Sequence, residues 1–133
     1  MRTINLIGVY DDGSTRRADQ PLSGRTTLKI TRGEDTAIVL VATTPSGRRV
    51  NALAADTLTL SVKENAGSGT PILLSVAGVA QPNGAWLLSV PRADTLAFPP
   101  GRFDFDVTLL EAATGQRTCL NPLSTLISVP NLA

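Results

Sequence analysis

The sequence predicts an all-β fold, a two-sheet antiparallel sandwich, on three observations. Short apolar segments rich in Thr, Val and Leu recur between turn signals, and none holds a helical stripe for long. Nine prolines and eleven glycines are scattered along the 133 residues rather than clustered, which suits many short connections. The stretch from Leu96 to Val107 joins a Pro-Pro-Gly corner to a strictly alternating strand. There Phe103, Phe105, Val107 and Leu109 point one way, and Asp104, Asp106 and Thr108 point the other. The apolar side needs a second layer to cover it.

Residues 1–24 differ from the remainder. Ile4, Leu6, Ile7 and Val9 can form a short strand, but residues 11–21 are polar and turn-rich. Two readings stand: a flexible terminus, or an extended arm that orders on a neighbouring subunit and buries its apolar tip there. The chain therefore divides into an N-terminal arm, 1–24, and a β-sandwich, 25–133.

The sandwich begins with a strand over 26–31 and a turn at Arg32-Gly33-Glu34-Asp35. Residues 36–43 are a near-continuous apolar strand, expected to lie centrally with both faces covered. Thr44-Pro45-Ser46-Gly47 is a strong turn signal, and residues 51–56 connect to a cleanly alternating strand over 57–63. A loop at 65–69 leads to a strand over 71–76. An Asn-Gly turn at Asn83-Gly84 then precedes a strand over 85–90 that carries Trp86. Residues 91–95 form a short crossing segment, one helical or 3₁₀ turn, and the organising strand covers 101–111. After a turn at 113–116 the last strand runs through 117–119 and again through 123–129. It bends at Asn121-Pro122, because proline enters a strand only at an edge or a bulge. The corner at 96–103 matches the place where an immunoglobulin-like sandwich crosses between sheets, with Phe where Tyr is usual. The hydroxyl-to-backbone bond of a tyrosine corner is then lost and only the packing role remains.

Length and composition narrow the function. One domain of this size buries a single core, and a net charge of +1 gives no field for nucleic acid or an anionic membrane. Neither a signal peptide nor a membrane helix is apparent, so the expectation is a soluble chain made in a cytoplasm. With no histidine and one cysteine, the Ser-His-Asp, Cys-His and ordinary zinc arrangements are excluded, and no disulfide forms within the chain. Cys119 is expected to pack as a small apolar residue, the alternative being a free thiol. No catalytic residue, cofactor or metal is expected. Asp104 and Asp106 share a strand face, but a solvated face accounts for them better than Ca²⁺ binding or acid–base work. Arg32-Gly33-Glu34-Asp35 is a turn rather than an integrin-binding loop. Arg16-Arg17 and Arg48-Arg49 are either solvated or meet acidic patches on another subunit. Only 17% of residues are charged against 42% hydrophobic, which implies surface hidden by a partner or solubility resting on Ser, Thr and Asn.

Three segments carry a resemblance: residues 30–36, Ile-Thr-Arg-Gly-Glu-Asp-Thr; residues 56–63, Asp-Thr-Leu-Thr-Leu-Ser-Val-Lys; and residues 91–107, which span the corner and its Phe-Asp-Phe-Asp-Val strand. Together they resemble the immunoglobulin-like module of tailed-bacteriophage virion proteins, found at the start of baseplate upper proteins and in head and tail accessory proteins. The resemblance implies an immunoglobulin-like sandwich and a non-enzymatic structural role in the virion, with other virion proteins as partners. Because the sequence stops at Ala133, it implies a capsid cement or decoration protein or a head or tail accessory. The alternatives are a baseplate or tail-fibre adaptor and a module that recognises a cell-surface glycan or protein. Its contacts are expected from Ile4, Leu6, Ile7, Val9, Tyr10, Arg16, Arg17, Arg48 and Arg49.

Overall fold

Alternation and turn chemistry decide where the layers fall. The computed structural model describes residues 2–19, 25–65, 70–121 and 124–130. In chain order its strands are β1 (Arg2–Val9), β2 (Thr27–Thr31), β3 (Thr36–Thr43), β4 (Arg49–Val50), β5 (Thr57–Lys63) and β6 (Ile72–Ala80). After them come β7 (Trp86–Val90), a short helix α1 (Arg92–Ala97), β8 (Gly101–Leu110), β9 (Arg117–Cys119) and β10 (Ser124–Val129). The hydrogen-bonded order is β1-β3-β7-β6-β5-β8-β10-β2, with β4 on β3 and β9 on β8. The fold is all-β, a curled mixed sheet folded into a sandwich.

β6 belongs to both layers. Its first part pairs with β5 up to Ala77, opposite Thr59, and from Gly78 it pairs with β7. Gly78 permits that passage: a Cβ there would stand 2.8 Å from Leu58 Cδ2 and 3.3 Å from Trp86 Cε3. The side chains that alternate inward fill the space between the layers. Ile38, Leu40, Trp86, Leu88 and Val90 come from one sheet. Leu58, Leu60, Val62, Phe105, Val107 and Leu126 come from the other. The β6–β7 hairpin closes on the expected Asn-Gly turn. Gly84 adopts φ +85°, and the Asn83 side chain accepts the Ala85 amide at 3.0 Å.

Two pairings are parallel, β1 with β3 and β10 with β2, at the two ends of the strand path. Antiparallel neighbours were expected throughout. A parallel neighbour needs a crossover, and here the chain supplies it by visiting the opposite layer between the two strands. Such partners are distant along the sequence and no local turn announces them.

The N-terminal strand requires the largest correction. β1 pairs with β3 along its whole length, from Arg2 opposite Thr36 to Val9 opposite Thr43. Leu6 and Val9 are buried, Ile4 is partly buried against the core, and Ile7 is exposed. Residues 2–9 are thus a strand of the sandwich rather than part of an arm. The expected boundary at residue 24 does not separate them from it, and residues 20–24 lie outside the described residues. β3 is central within its sheet, as expected, but only its Ile38, Leu40 and Ala42 side is covered; Val39 and Val41 are half-buried. Cys119 is exposed rather than packed. Residues 66–69 and the Pro122 bend also lie outside the described residues.

If β1 is structural, its two faces respond differently. Leu6→Ala should lower unfolding stability by about 2–5 kcal/mol, the usual cost of truncating a buried leucine. Ile7→Ala, on the exposed side, should stay within about 1 kcal/mol. Urea unfolding followed by the buried Trp86 measures both; equal, small effects would show that β1 contributes no core.

Candidate interface surfaces

The far end of β1 is tied on both of its edges. The Tyr10 amide donates to Thr43 O at 2.8 Å on one side, while the Val9 amide donates to Leu120 O at 3.1 Å on the other. Asn121 Nδ2 donates to Ile7 O at 2.9 Å, next to Gly8, where a Cβ would lie only 3.0 Å from Leu120 Cβ. The Tyr10 hydroxyl donates to a Glu111 carboxylate oxygen, joining β1 to the end of β8. That bond holds the phenol protonated and, with partial burial, raises its pKa above the ordinary 10.0. Because the folded pKa is the higher one, this contribution is complete below pH 10 and is lost as pH rises through the folded value. Tyr10 is the only tyrosine, so its phenolate absorbance titrates alone. The midpoint should exceed 10.0 in the folded protein and fall towards it in Glu111→Gln. An unshifted midpoint would remove the contact.

The arginine pairs divide between two places. Residues 11–19 lie back along the turn between β3 and β4. The Arg17 amide donates to Pro45 O at 2.9 Å, and the Ser46 amide to Ser14 Oγ at 3.2 Å. The Arg17 guanidinium pairs with Asp19 at 2.8 Å and that of Arg48 with Asp12 at 3.5 Å. Bonds from Ser14 hold the Asp12 carboxyl below its ordinary range. Arg17 and Arg48 therefore meet in one loop cluster and already face carboxylates of their own chain. Exposed pairs of this kind are screened by solvent and add little to stability, so they dress a surface rather than hold the fold. Arg16 is exposed in the same loop, while Arg49 stands opposite Thr43 at the rim of the outer sheet face. Of the nine expected contact residues, Leu6 and Val9 are committed to the interior; Ile7 and the four arginines are exposed.

The corner is built by two sequence segments acting together. α1 carries the chain from β7 to β8, and so from one layer to the other, as the corner reading expected. Phe98 and Phe103 are buried with ring centroids 5.2 Å apart and tilted by 57°. The polar contacts of the corner centre on the fully buried Thr95. Thr95 Oγ1 accepts the Gly33 amide at 3.0 Å and lies 2.9 Å from Arg92 O and 3.2 Å from Glu34 O. Asp35 accepts the Arg92 amide at 2.7 Å at the start of α1, and Arg32 Nη2 donates to Leu96 O at 2.9 Å. The Arg-Gly-Glu-Asp tetrad is thus the clamp that holds the corner. Sequence reasoning placed the corner but missed Thr95, whose signal was a hydroxyl inside an otherwise helical turn.

Two concavities flank β8. One of about 440 Å³ lies beside the corner, between Glu64, Leu73, Pro100 and Arg102. The other, about 230 Å³, has Trp86 and Leu109 among its lining residues together with Asp56 and Glu111. Its carboxylates are engaged in the fold: Asp56 accepts the Ala112 amide at 3.0 Å and Glu111 receives Tyr10. Asp104 and Asp106 lie on the outer face of β8, in register with Lys63 and Ser61 of β5. Partial burial, with Asp106 nearby, pushes the Cys119 thiol above its ordinary pKa, so it stays protonated at neutral pH.

No family model matches the chain, and no curated protein matches it by sequence. Among solved structures it is similar to the N-terminal domain of phage TP901-1 ORF48, with a TM-score of 0.52 and 13% identity. That likeness covers 98% of this chain and 99% of the other. It is similar also to auracyanin A, a blue copper protein from the green thermophilic photosynthetic bacterium Chloroflexus aurantiacus. There the TM-score is 0.40 and the identity 12%, over 97% of this chain and 99% of that one. What the first of these shares with the chain is the fold, from end to end.

Proposed function

We propose that the chain is a non-enzymatic structural protein of a tailed-phage particle, acting through contacts with other virion subunits. The observation that carries this reading is the end-to-end likeness in fold to a domain of a phage protein. The sequence resemblance supports it in a second way. Of the three segments that carry the resemblance, residues 30–36 and 91–107 are hydrogen-bonded into the corner clamp, and residues 56–63 pair with the strand that leaves it. Segments that look like separate scraps of turn and strand grammar form one spatial unit.

Within the particle, the finer reading is a cement or decoration protein of the head, or a head or tail accessory, located in the virion. A baseplate or tail-fibre adaptor is the second reading, favoured by the neighbour's being the N-terminal domain of its own protein. Mass spectrometry of purified particles, with heads and tails separated, tests both. The chain should copurify stoichiometrically with heads. Recovery only with tails or baseplates favours the adaptor. Absence from washed particles, combined with specific binding on a glycan array, would replace the structural role with cell-surface recognition.

A further inference from the structure

We propose that Asn83 is a site of self-modification gated by the β6–β7 hairpin: its side chain condenses with the backbone nitrogen of Gly84 when the hairpin opens and is protected while it is closed. This goes beyond the virion reading and stands without it, because it concerns the chemistry of the isolated chain.

The reaction is intramolecular. The Gly84 nitrogen attacks the side-chain carbonyl carbon of Asn83, and the new C–N bond closes a five-membered succinimide. The side-chain amide nitrogen leaves as ammonia, taking up the proton that the Gly84 nitrogen gives up. Water then opens the ring at either carbonyl to give aspartate or isoaspartate; nothing is oxidised or reduced. A side chain on the attacking residue hinders the approach, so glycine in that place favours it. Asn5, Asn51, Asn65, Asn121 and Asn131 precede Leu, Ala, Ala, Pro and Leu, and Asn83 alone precedes Gly. Asn83 is also exposed, so water reaches it.

Closed, the hairpin holds each group that must move. The Gly84 amide donates to Gln81 O at 3.0 Å, so the attacking nitrogen is tied through the proton it has to lose. Asn83 Oδ1 accepts the Ala85 amide at 3.0 Å, which fixes the side chain under attack. Gly84 O accepts the Ala52 amide at 2.9 Å, and the Gln81 amide donates to Ala85 O at 2.8 Å across the turn. Gly84 is buried at φ +85°, where a Cβ would lie 2.4 Å from Asn51 Oδ1. Ring closure therefore requires the end of the hairpin to open locally. The reverse step is blocked once ammonia has left. The imide nitrogen has no hydrogen to donate to Gln81 O, and isoaspartate routes the main chain through an extra carbon. Openings of the β6–β7 pairing, where Gly78–Ala80 meet Trp86–Leu88, are thus recorded in the turn that closes it.

Peptide mapping by mass spectrometry tests this on the full chain, aged at mildly alkaline pH with and without guanidinium chloride. The buried Trp86 reports by fluorescence which samples are folded. In denaturant the peptide carrying Asn83 should gain the mass of an amide-to-acid exchange ahead of those carrying the other asparagines. In the folded sample it should do so at least about tenfold more slowly, the ratio being set by how seldom the hairpin opens. Asn83→Gln, measured in denaturant where its folding is immaterial, should abolish the early mass gain, because the longer side chain must close a larger ring. Less than tenfold protection in the folded protein overturns the proposal. Earlier modification of another asparagine, or a mass gain that survives Asn83→Gln, does the same.

Discussion

The two layers are joined because one strand serves both. β6 leaves its partner β5 at Ala77 and takes up β7 at Gly78, passing so close over Leu58 and Trp86 that a Cβ there would crowd both. Burial of apolar surface between the layers drives the collapse, but this passage fixes how they face each other. Each alternating strand then has an inward side already determined by its register. Slippage by one residue would turn Leu58, Leu60 and Val62 to solvent and bring Thr59 and Ser61 into the core.

At the opposite side of the sandwich the corner does the corresponding work for β8. Phe103 packs inward as the sequence suggested, against Phe98, and polar atoms tie the corner down. Thr95, Asp35 and Arg32 satisfy backbone groups of two segments separated by about sixty positions. The fully buried Thr95 hydroxyl is the polar group that ties α1 to the Arg32–Asp35 turn.

Elements bounded by their own turns were legible in the sequence. β3 and β5 fall at the expected residues, and the Asn-Gly turn, α1 and β8 fall within a residue or two, because alternation and turn glycines are local signals, whereas β6 runs on to Ala80, four residues past its expected end. β1 was not. The polar run at 11–19 separates it from the next strand, and its partner β3 lies in parallel beyond an excursion into the other sheet. An apolar tip with a polar run behind it therefore looked like an arm. The continuous apolar run of β3 was correctly taken as a central strand, but its second cover was not found: Val39 and Val41 are half-buried, as on one face of a sheet that is antiparallel at β7. Ile7 and the arginines remain surface residues, whereas Leu6 and Val9 are spent on the interior.

The molecule thus meets its surroundings as a closed sandwich, and β1 is a fixed part of it. Amide hydrogen exchange across β1 in the isolated protein tests that account most directly. The Val9 and Tyr10 amides, bonded to Leu120 O and Thr43 O, should exchange as slowly as the amides of β3, near the limit set by global unfolding. Rapid exchange of these two amides, with β3 still protected, would restore a detachable arm.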